Sequence, residues 1–541
     1  MLGRRSPQLS FFDAQSLPHC VPDDSFYGRM AALSDVLFPD EDLVMMYCRD
    51  NGRPSLPPSL MNGVLLLQFY DNVSDAEAVA RTKFDMRWKV GLKLPLDFPG
   101  FHPTSLTKYR NRLIENEQER YAFDRFIAVG REAGFIPDRV TLLTDTTSVK
   151  GAGAVQDTYT LLRKGMRKLL KAAGFHLSKK RRGLSPQTRI LLERYVDQDR
   201  KAEIDWSDPQ QRAAELQVLF EDAEAVLELA AEQIDDDEVR YLGWLLTKIL
   251  GDDLAVDDQG QAQIGQGTAT SRIISITDPE MRHGRKSSAR LFNGFKASVS
   301  TDQHSEMILD IADVTASGSD GAHLLPIIKR VEAQADVTVE RAIGDGAYGS
   351  GKNRAACDNY PGHAVDLVSP LARPSDPEVD KSAFDIDLEA QTATCPQGHM
   401  VPGQRAGKQD GQQMWLYTFP RATCEACPLF ERCVRSEKMG RTVRTRGYES
   451  YLQAARLRQQ TEEFDLLYRL RAAVERKIAE LAQRGLRETR YVGEPKRQLQ
   501  RLWTAAAINL RRLFCLAEAQ KVDLEMLLSH LPPPKTRWAA V

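Results

Sequence analysis

Residues 139–148 read RVTLLTDTTS, a run rich in β-branched and apolar residues with turn-forming residues on either side. That composition predicts a buried strand that delivers Asp145 at its carboxyl end. Residues 337–345 read VTVERAIGD and predict another strand, which ends on Asp345. Because ligands of α/β proteins gather where strands end, we expect the two carboxylates to converge.

Strand and helix patterns alternate around these two strands as far as about residue 483. Further strands are predicted at 295–301, 307–314 and 363–368, and helices at 321–332, 352–357, 453–483 and 498–513. The alternation indicates an α/β domain with a mixed sheet. Two segments interrupt it: a helical stretch at 159–250 followed by a loop at 252–268, and an irregular stretch at 370–446.

The region from residue 57 to residue 113 is predicted to be helical. Ser59 and Ser74 are the predicted caps of its first two helices. A third helix carries three basic residues, Lys108, Arg110 and Arg112. A short helix, a turn and a basic helix are typical of a helix-turn-helix that docks on DNA, and plain helical packing is the alternative.

The composition of the chain is that of an ordinary globular protein. It has 541 residues, of which 42% are hydrophobic and 27% charged, which excludes a fibrous or fully disordered protein. The formal net charge of −2 hides unequal segments: 161–190 has ten basic and no acidic residues, 201–260 has four basic and seventeen acidic, and 431–541 has 23 basic and 13 acidic. This asymmetry indicates local polyanion-binding surfaces, with solvated helix faces as the equal alternative.

The sequence contains no run of about 18 uncharged apolar residues, and its N-terminus lacks the apolar segment of a signal peptide. We therefore expect a cytoplasmic protein without membrane segments. In that compartment its eight cysteines are expected to be thiols or metal ligands rather than disulfides.

Half of the cysteines fall within 39 residues, namely Cys395, Cys424, Cys427 and Cys433. A C-x2-C pair with another Cys nearby suits a tetrahedral Zn²⁺ site that staples a loop lacking its own core. Unliganded thiols and an iron–sulfur cluster are the alternatives. The other four have no ligand spacing and are predicted to be core residues: Cys20, Cys48, Cys357 and Cys515.

A further carboxylate stands out through its neighbours, because Tyr468, Arg471 and Glu475 have the spacing Y-x2-R-x3-E. This spacing resembles the signature helix of bacterial insertion-sequence transposases of the DDE class. Further motifs of that family resemble the segments DTT at 145–147, GDGAY at 344–348 and NGFK at 293–296.

Residues 57–113 also resemble the helical N-terminal domain of these transposases, so the resemblance extends from about residue 11 to residue 513. In one respect the chain departs from the family. The signature usually has a Lys seven residues after the Glu, and here that position is Ala482.

The resemblance implies a catalytic core in which Asp145, Asp345 and Glu475 bind Mg²⁺ or Mn²⁺. Carboxylates suit hard cations, and two such ions about 3.5–4 Å apart can align the attacking and leaving oxygens of a phosphodiester. Water would free a 3′-OH at a transposon end, and that hydroxyl would then attack target DNA.

The resemblance also implies roles for the residues around these carboxylates, and partners for the chain. Tyr468, Arg471, Lys477 and Lys296 are implied to support the carboxylates or to contact DNA phosphates. The implied partners are double-stranded DNA, as transposon ends and target, and further copies of the chain in a homo-oligomer. The implied location is the bacterial cytoplasm, at the nucleoid, and similar Cys groups in the family favour the structural Zn²⁺.

The fold predicted on these grounds is an α/β RNase H-like core, a mixed sheet flanked by helices, with an all-α N-terminal domain and two inserts. Its parts are a helical DNA-binding domain at 1–125, a catalytic domain at 136–515 with a helical insert at about 152–270 and a Cys-rich insert at about 370–446, and a tail at 516–541. The predicted function is a DDE transposase.

Two other functions are kept as alternatives to the transposase. One is a metal-dependent nuclease of the same fold without strand transfer, and the other is a non-catalytic, zinc-stabilised DNA-binding protein. Asp302, Asp310 and Asp313 are rival candidates for the metal-binding carboxylates, on strand placement alone.

Overall fold

The structure is a computed structural model that describes residues 17–48, 54–177, 183–198, 203–267, 269–287 and 289–534. The basic run 179–182 and the last seven residues of the predicted tail lie outside the described residues. None of the described helices combines the length and the hydropathy needed to cross a bilayer.

Helices make up the N-terminal region, as predicted. They are α1 Phe26–Ala32, α2 Ser34–Leu37, α3 Pro58–Tyr70, α4 Asp75–Phe84, α5 Met86–Gly91, α6 Thr104–Glu115 and α7 Tyr121–Glu132. The Ser74 hydroxyl caps α4 by accepting from the Glu77 N–H at 3.2 Å. The predicted cap at Ser59 is wrong, because α3 already begins at Pro58 and the Ser59 N–H donates to Asp40 at 2.7 Å.

After strand β1, Arg139–Lys150, the chain enters the helical insert. Its elements are α8 Thr158–Ala172, α9 Pro186–Leu192, α10 Pro209–Ala231, α11 Asp237–Asp253, β2 Leu254–Val256 and β3 Ala262–Ile264. The insert has a hydrophobic core of its own, in which Leu162, Leu219 and Leu246 are fully buried. Strands β2 and β3 pair as a hairpin where a loop was predicted, because the polar turn between them masks two very short strands.

The main sheet is mixed, as predicted. Its later elements are β4 Arg282–Ser287, β5 Arg290–Asp302, β6 Ile308–Thr315, a 3₁₀ turn at Asp320–His323, α12 Leu324–Ala335, β7 Thr338–Ile343, α13 Gly351–Asp358 and β8 Asp366–Val368. The strand order is β4-β5-β1-β7-β8, and β6 also pairs with β5. Strand β1 is antiparallel to β5 and parallel to β7, and β7 is parallel to β8.

The cysteine-rich stretch contains a sheet where irregular structure was predicted. Its elements are β9 Asp385–Asp387, β10 Thr392–Thr394, β11 Met400–Gln409, β12 Gln412–Thr418, α14 Arg421–Glu425, α15 Phe430–Cys433 and β13 Thr442–Arg444. The five strands are short or polar, so their alternation is weak in the sequence. Seven buried residues form their separate core, including Phe384, Tyr417 and Phe419.

The predicted long helix at 453–483 is three helices, which are α16 Glu449–Arg458, α17 Glu462–Arg469 and α18 Ala472–Gln483. The first break arises because the Thr461 hydroxyl accepts from the Phe464 N–H and starts α17. The chain continues with α19 Glu494–Gln520 and α20 Leu524–His530. Helix α19 packs on α3, α6, α7 and β6, so the N-terminal helices and the main sheet share one hydrophobic core.

Candidate active site

Strands β1 and β7 bring Asp145 and Asp345 to the same level of the sheet. Their parallel pairing ends at Leu143 opposite Ile343, and each Asp follows two residues later. The prediction that strand β1 ends at Asp145 is wrong, because the pairing of β1 with β5 continues to Lys150 opposite Gly294. Neighbouring strands lie about 4.8 Å apart, so the register alone makes the two Asp residues neighbours.

Helix α18 supplies the third carboxylate, and Arg471 links it to the first. Helix α18 packs against β1 and β5. Arg471 precedes its first turn, and its guanidinium donates to Asp145 Oδ2 at 2.7 Å and to Glu475 Oε1 at 2.6 Å. The side chain of Asp145 is 14% exposed and that of Glu475 is 54% exposed. The predicted spacing of Arg471 and Glu475 on one face is thus realised as an ion pair.

The electrostatics of Asp145 show that the three carboxylates influence each other. Burial raises the pKa of Asp145, and the negative charges of Asp345 and Glu475 raise it further, whereas Arg471 and the Thr146 N–H lower it. Burial by itself would lower the pKa of Arg471, but Asp145, Tyr468, Glu475 and Asp345 raise it overall. Two of these like charges, Asp145 and Glu475, share the guanidinium of Arg471.

The turn after β7 adds a buried tyrosine to this cluster. The Asp345 carboxylate accepts from the Ala347 N–H at 2.9 Å, and the backbone carbonyl of Asp345 accepts from the Tyr348 N–H at 3.1 Å. Tyr348 is 1% exposed. Burial raises the pKa of Tyr348, and the charges of Asp320, Asp145 and Asp345 raise it further. Its hydroxyl therefore stays protonated beside the carboxylates.

The other predicted site residues lie in different surroundings. Lys296 is mostly buried and donates to Asp320 Oδ1 at 2.7 Å and to the Gly318 carbonyl at 2.9 Å. Lys477 is buried on α18 and pairs with Glu480 at 3.2 Å. Tyr468 lies in the last turn of α17 and stacks on Phe464, with ring centroids 5.8 Å apart. Lys296 and Lys477 are therefore engaged with acidic side chains of the chain itself.

The rival carboxylates have structural partners. Asp302 accepts from the backbone N–H and the hydroxyl of Ser305, Asp310 pairs with Arg330 at 2.8 Å, and Asp313 accepts from the buried Arg497 at 3.1 Å. Asp302 fixes the turn after β5, Asp310 ties helix α12 to the sheet, and Asp313 ties helix α19 to it. Each of the three carboxylates therefore has a structural role that needs no metal.

Asp320 is a neighbour of the carboxylates that the sequence patterns did not indicate. It accepts from the Thr146 hydroxyl at 2.7 Å as well as from Lys296. It lies in the 3₁₀ turn after β6, outside any strand end or recognisable motif. In the sequence Asp320 is an acidic residue between Ser319 and Gly321, and this combination is common in ordinary turns.

The predicted helix-turn-helix has one basic residue engaged internally. Arg110 is buried and pairs with Asp75 at 2.6 Å, while Arg112 lies over the Tyr47 ring at 4.3 Å and Lys108 is exposed.

A more exposed basic surface lies on the hairpin of β4 and β5. Its members, Arg285, Lys286 and Arg290, are exposed on the part of the hairpin that extends past the end of β1.

We expect that Arg471→Gln destabilises the protein by about 1–3 kcal/mol, because the Asp145 and Glu475 charges lose their cation. Urea unfolding measures the change, and adding Mg²⁺ should reduce the deficit. Arg469→Gln, at an exposed position two residues away, is the control and should leave stability within about 0.5 kcal/mol. Equal stability of the two variants would show that the Arg471 contacts contribute nothing.

The four clustered cysteines line one small cavity in the Cys-rich unit, together with His399. Its volume is about 30 Å³, which suits a single ion or water molecule. The sulfur of Cys424 accepts from the Arg441 N–H at 3.4 Å, and that of Cys427 from the Leu429 N–H at 3.4 Å. Burial raises the pKa of Cys433, and Cys424, Cys427 and Cys395 raise it further.

The remaining cysteines do not all behave as predicted. Cys357 is buried, but Cys20, Cys48 and Cys515 are exposed, so the prediction of four core cysteines is wrong for these three. Cys515 illustrates the reason, since it lies on the outward face of α19, where the helical period exposes every third or fourth residue, such as Arg511, Cys515 and Glu518.

Both clusters have donor chemistry that fits a metal, oxygens for a hard cation at the carboxylates and sulfurs for Zn²⁺ at the cysteines. Within the described residues, no three His, Cys, Asp or Glu side chains are grouped closely enough to count as a metal-binding set. At the carboxylates, Arg471 supplies the positive charge in this structure.

Comparison with protein families gives two matches. The model described as Transposase DDE domain matches residues 394–514, and the model described as Transposase domain (DUF772) matches residues 15–112. The first segment contains the Y-x2-R-x3-E helix region and the second contains helices α1 to α5, while Asp145 and Asp345 lie between them. No curated protein and no solved structure is matched by the chain. The two matches together support a DDE-class insertion-sequence transposase.

Proposed function

We propose that this transposase cleaves the ends of an insertion sequence and joins them to target DNA at a single site built from Asp145, Asp345 and Glu475. The observation that carries the proposal is the bridge from Arg471 to Asp145 and Glu475, at 2.7 and 2.6 Å, which joins residues 330 positions apart in one acidic cluster. Asp145 and Asp345 each lie two residues beyond the point where the parallel pairing of β1 and β7 ends.

The proposed catalytic core is RNase H-like and corresponds to residues 136–515. A mixed sheet, in which antiparallel pairs lie on one side of β1 and parallel strands on the other, supports it. The proposed inserts, 152–270 and 370–446, each have a separate hydrophobic core in support. The N-terminal DNA-binding domain, residues 1–125, and the tail remain proposals from the sequence.

In the proposed reaction the acidic cluster acts twice. Divalent cations, Mg²⁺ or Mn²⁺, held by the three carboxylates would neutralise the phosphate and orient the attacking and leaving oxygens. In the first step a water oxygen bonds to phosphorus and the bond to the 3′ oxygen breaks, which leaves a 3′-OH. In the second step that hydroxyl bonds to a target phosphorus and displaces a target 3′ oxygen.

The chain's own residues would prepare the site for both steps. Arg471 holds Asp145 and Glu475 in one orientation, and the Thr146 and Ala347 N–H groups each fix one Asp carboxylate. Tyr348 offers a protonated hydroxyl on the buried side. Charge-assisted hydrogen bonds of this kind limit the movement of ligand oxygens before substrate binds.

The test of the proposed function is a cleavage and joining assay on the DNA that flanks the gene, with purified full-length protein and Mg²⁺ or Mn²⁺. Cleavage at the ends together with joined products supports the transposase. Cleavage without joining would favour the nuclease alternative, and DNA binding without any cleavage would favour the non-catalytic alternative.

We further propose that a homo-oligomer holds the two ends in the bacterial cytoplasm, at the nucleoid.

We propose the β4–β5 hairpin as part of the DNA path, because its exposed cations extend beyond the catalytic end of β1. Changing Arg285, Lys286 and Arg290 to Ala should weaken DNA binding and reduce the slope of log affinity against log salt by about 1 for each lost phosphate contact. Fluorescence anisotropy over a salt series measures this slope.

A matched control for the hairpin uses three exposed cations of the Cys-rich unit, Lys408, Arg435 and Lys438, also changed to Ala. We expect the control to keep the wild-type slope. An equal loss in both triple variants would show that the hairpin contributes no more than general charge.

We also propose that Cys395, Cys424, Cys427 and Cys433 bind a structural Zn²⁺. The support is their position around one ion-sized cavity and their mutual effect on the Cys433 pKa, which a cation would reverse by favouring thiolates. Metal analysis of the purified protein distinguishes zinc from iron and from free thiols.

A further inference from the structure

We infer that Asp320 is a positioning residue of the catalytic site, and that its turn sets the placement of Asp145 relative to Asp345. This inference rests on the proposed function of those two carboxylates. It assigns a role to a segment, residues 318–321, that lies more than twenty residues from Lys296 and from Asp345 in the sequence.

The first contact of this turn is with the strand that carries Asp145. Asp320 Oδ2 accepts from the Thr146 hydroxyl at 2.7 Å, and the Thr146 N–H donates to Asp145 Oδ1 at 2.8 Å. Thr146 therefore receives its orientation from Asp320 and passes it to Asp145. Loss of the bond between Thr146 and Asp320 would remove the anchor that ties the strand segment presenting the carboxylate to this turn.

The second contact fixes Asp320 itself. Lys296 donates to Asp320 Oδ1 at 2.7 Å and to the Gly318 carbonyl at 2.9 Å, so one ammonium holds both the side chain and the backbone of the turn. The side chains of Lys296 and Asp320 are mostly buried. Both oxygens of Asp320 thus have partners, and its function is to hold neighbours rather than to bind a further ligand.

The third contact joins the turn to the loop that carries Asp345. Asn353 donates through one nitrogen to the Gly321 carbonyl at 2.8 Å and to the Tyr348 carbonyl at 2.9 Å. Gly321 packs so closely on the Ala347 carbonyl that a Cβ would collide with it. The turn is therefore fixed between the segment after Asp145 and the loop after Asp345.

The chain offers a closely matched control for Asp320 in the helical insert. Asp253 is also buried, and it also accepts from a threonine hydroxyl, that of Thr158 at 2.7 Å, and from a cation, Arg272 at 2.7 Å. It is the last residue of α11, in the helical insert. Asp253→Asn therefore removes the same kind of contacts away from the carboxylates.

The experiment compares Asp320→Asn, Thr146→Val and Asp253→Asn with the wild type, each as full-length protein. We expect Asp320→Asn and Thr146→Val to lower kcat for DNA cleavage by about 10- to 100-fold while KM for DNA changes less than about 3-fold. Their double variant should lose no more than the worse single variant, because both break one connection. Thr146→Ser, which keeps the hydroxyl, should recover most of the rate.

Asp253→Asn should retain the wild-type kcat at temperatures where it is folded. An equal fall in kcat for Asp253→Asn and Asp320→Asn, or an unchanged kcat for Asp320→Asn, would overturn the inference. Wild-type protein that cleaves nothing would count against the proposed function instead. In that case Mn²⁺ affinity, measured by electron paramagnetic resonance, still decides: we expect at least about 10-fold weaker binding for Asp320→Asn, and unchanged binding overturns the inference.

Discussion

Asp145→Asn, Asp345→Asn and Glu475→Gln should each lower metal-dependent DNA cleavage by about 10³-fold or more while DNA binding is retained. The physical reason is that each change removes a negative oxygen from a site whose proposed task is to hold cations at the reacting phosphate, a contribution worth several kcal/mol. Rates of cleavage and anisotropy with labelled DNA measure the two quantities separately.

The control for this prediction is Asp310→Asn, at a buried carboxylate of the same sheet that pairs with Arg330. It should lose stability but keep its cleavage rate when folded. Full activity of Glu475→Gln would remove α18 from the site, whereas full activity of Asp145→Asn would contradict the proposed site as a whole.

Removal of Zn²⁺ should unfold the Cys-rich unit, and Cys424→Ser or Cys427→Ser should have the same effect. The unit has a core of only seven buried residues, which is too few to hold five short strands by burial alone. Metal binding to such small units contributes on the order of 10 kcal/mol to folding. Hydrogen exchange over residues 370–446, with and without a chelator, measures the loss of protection.

Cys515→Ser is the matched change for the zinc prediction, because this exposed thiol lies on α19, outside the cavity. It should leave both the zinc content and the exchange rates unchanged. Purified protein without zinc that nevertheless keeps slow exchange over 370–446 would contradict a structural metal there.

The strands that carry Asp145 and Asp345 could be predicted because β-branched, apolar runs bounded by turn residues have few other structures open to them. Glu475 was different: a single Glu in a helix is usually a surface residue, and only its spacing from Tyr468 and Arg471 pointed to the site. The structure adds the contact behind the spacing of Arg471 and Glu475: Arg471 donates both to Glu475, four residues later on the helix, and to Asp145 on strand β1.

The rest was hidden for physical reasons. The first break in the predicted helix at 453–483 depends on the Thr461 hydroxyl, whose capping competes with helix continuation without changing the apolar period. Asp320 could not be singled out because its proposed positioning role depends on Thr146 of β1 and Lys296 of β5. Both partners lie more than twenty residues away in the sequence. Long-range polar contacts leave no periodic pattern in a sequence.

The helical insert has a consequence for how the chain folds. Lys150 pairs with Gly294 across more than 140 residues, so the central pair of the sheet must close a very long loop, and such non-local pairing is slow. Because the insert has its own core, it can become compact first and bring the two strand ends together. We expect the insert to fold before the sheet during synthesis, so that the proposed catalytic carboxylates become neighbours only late in folding.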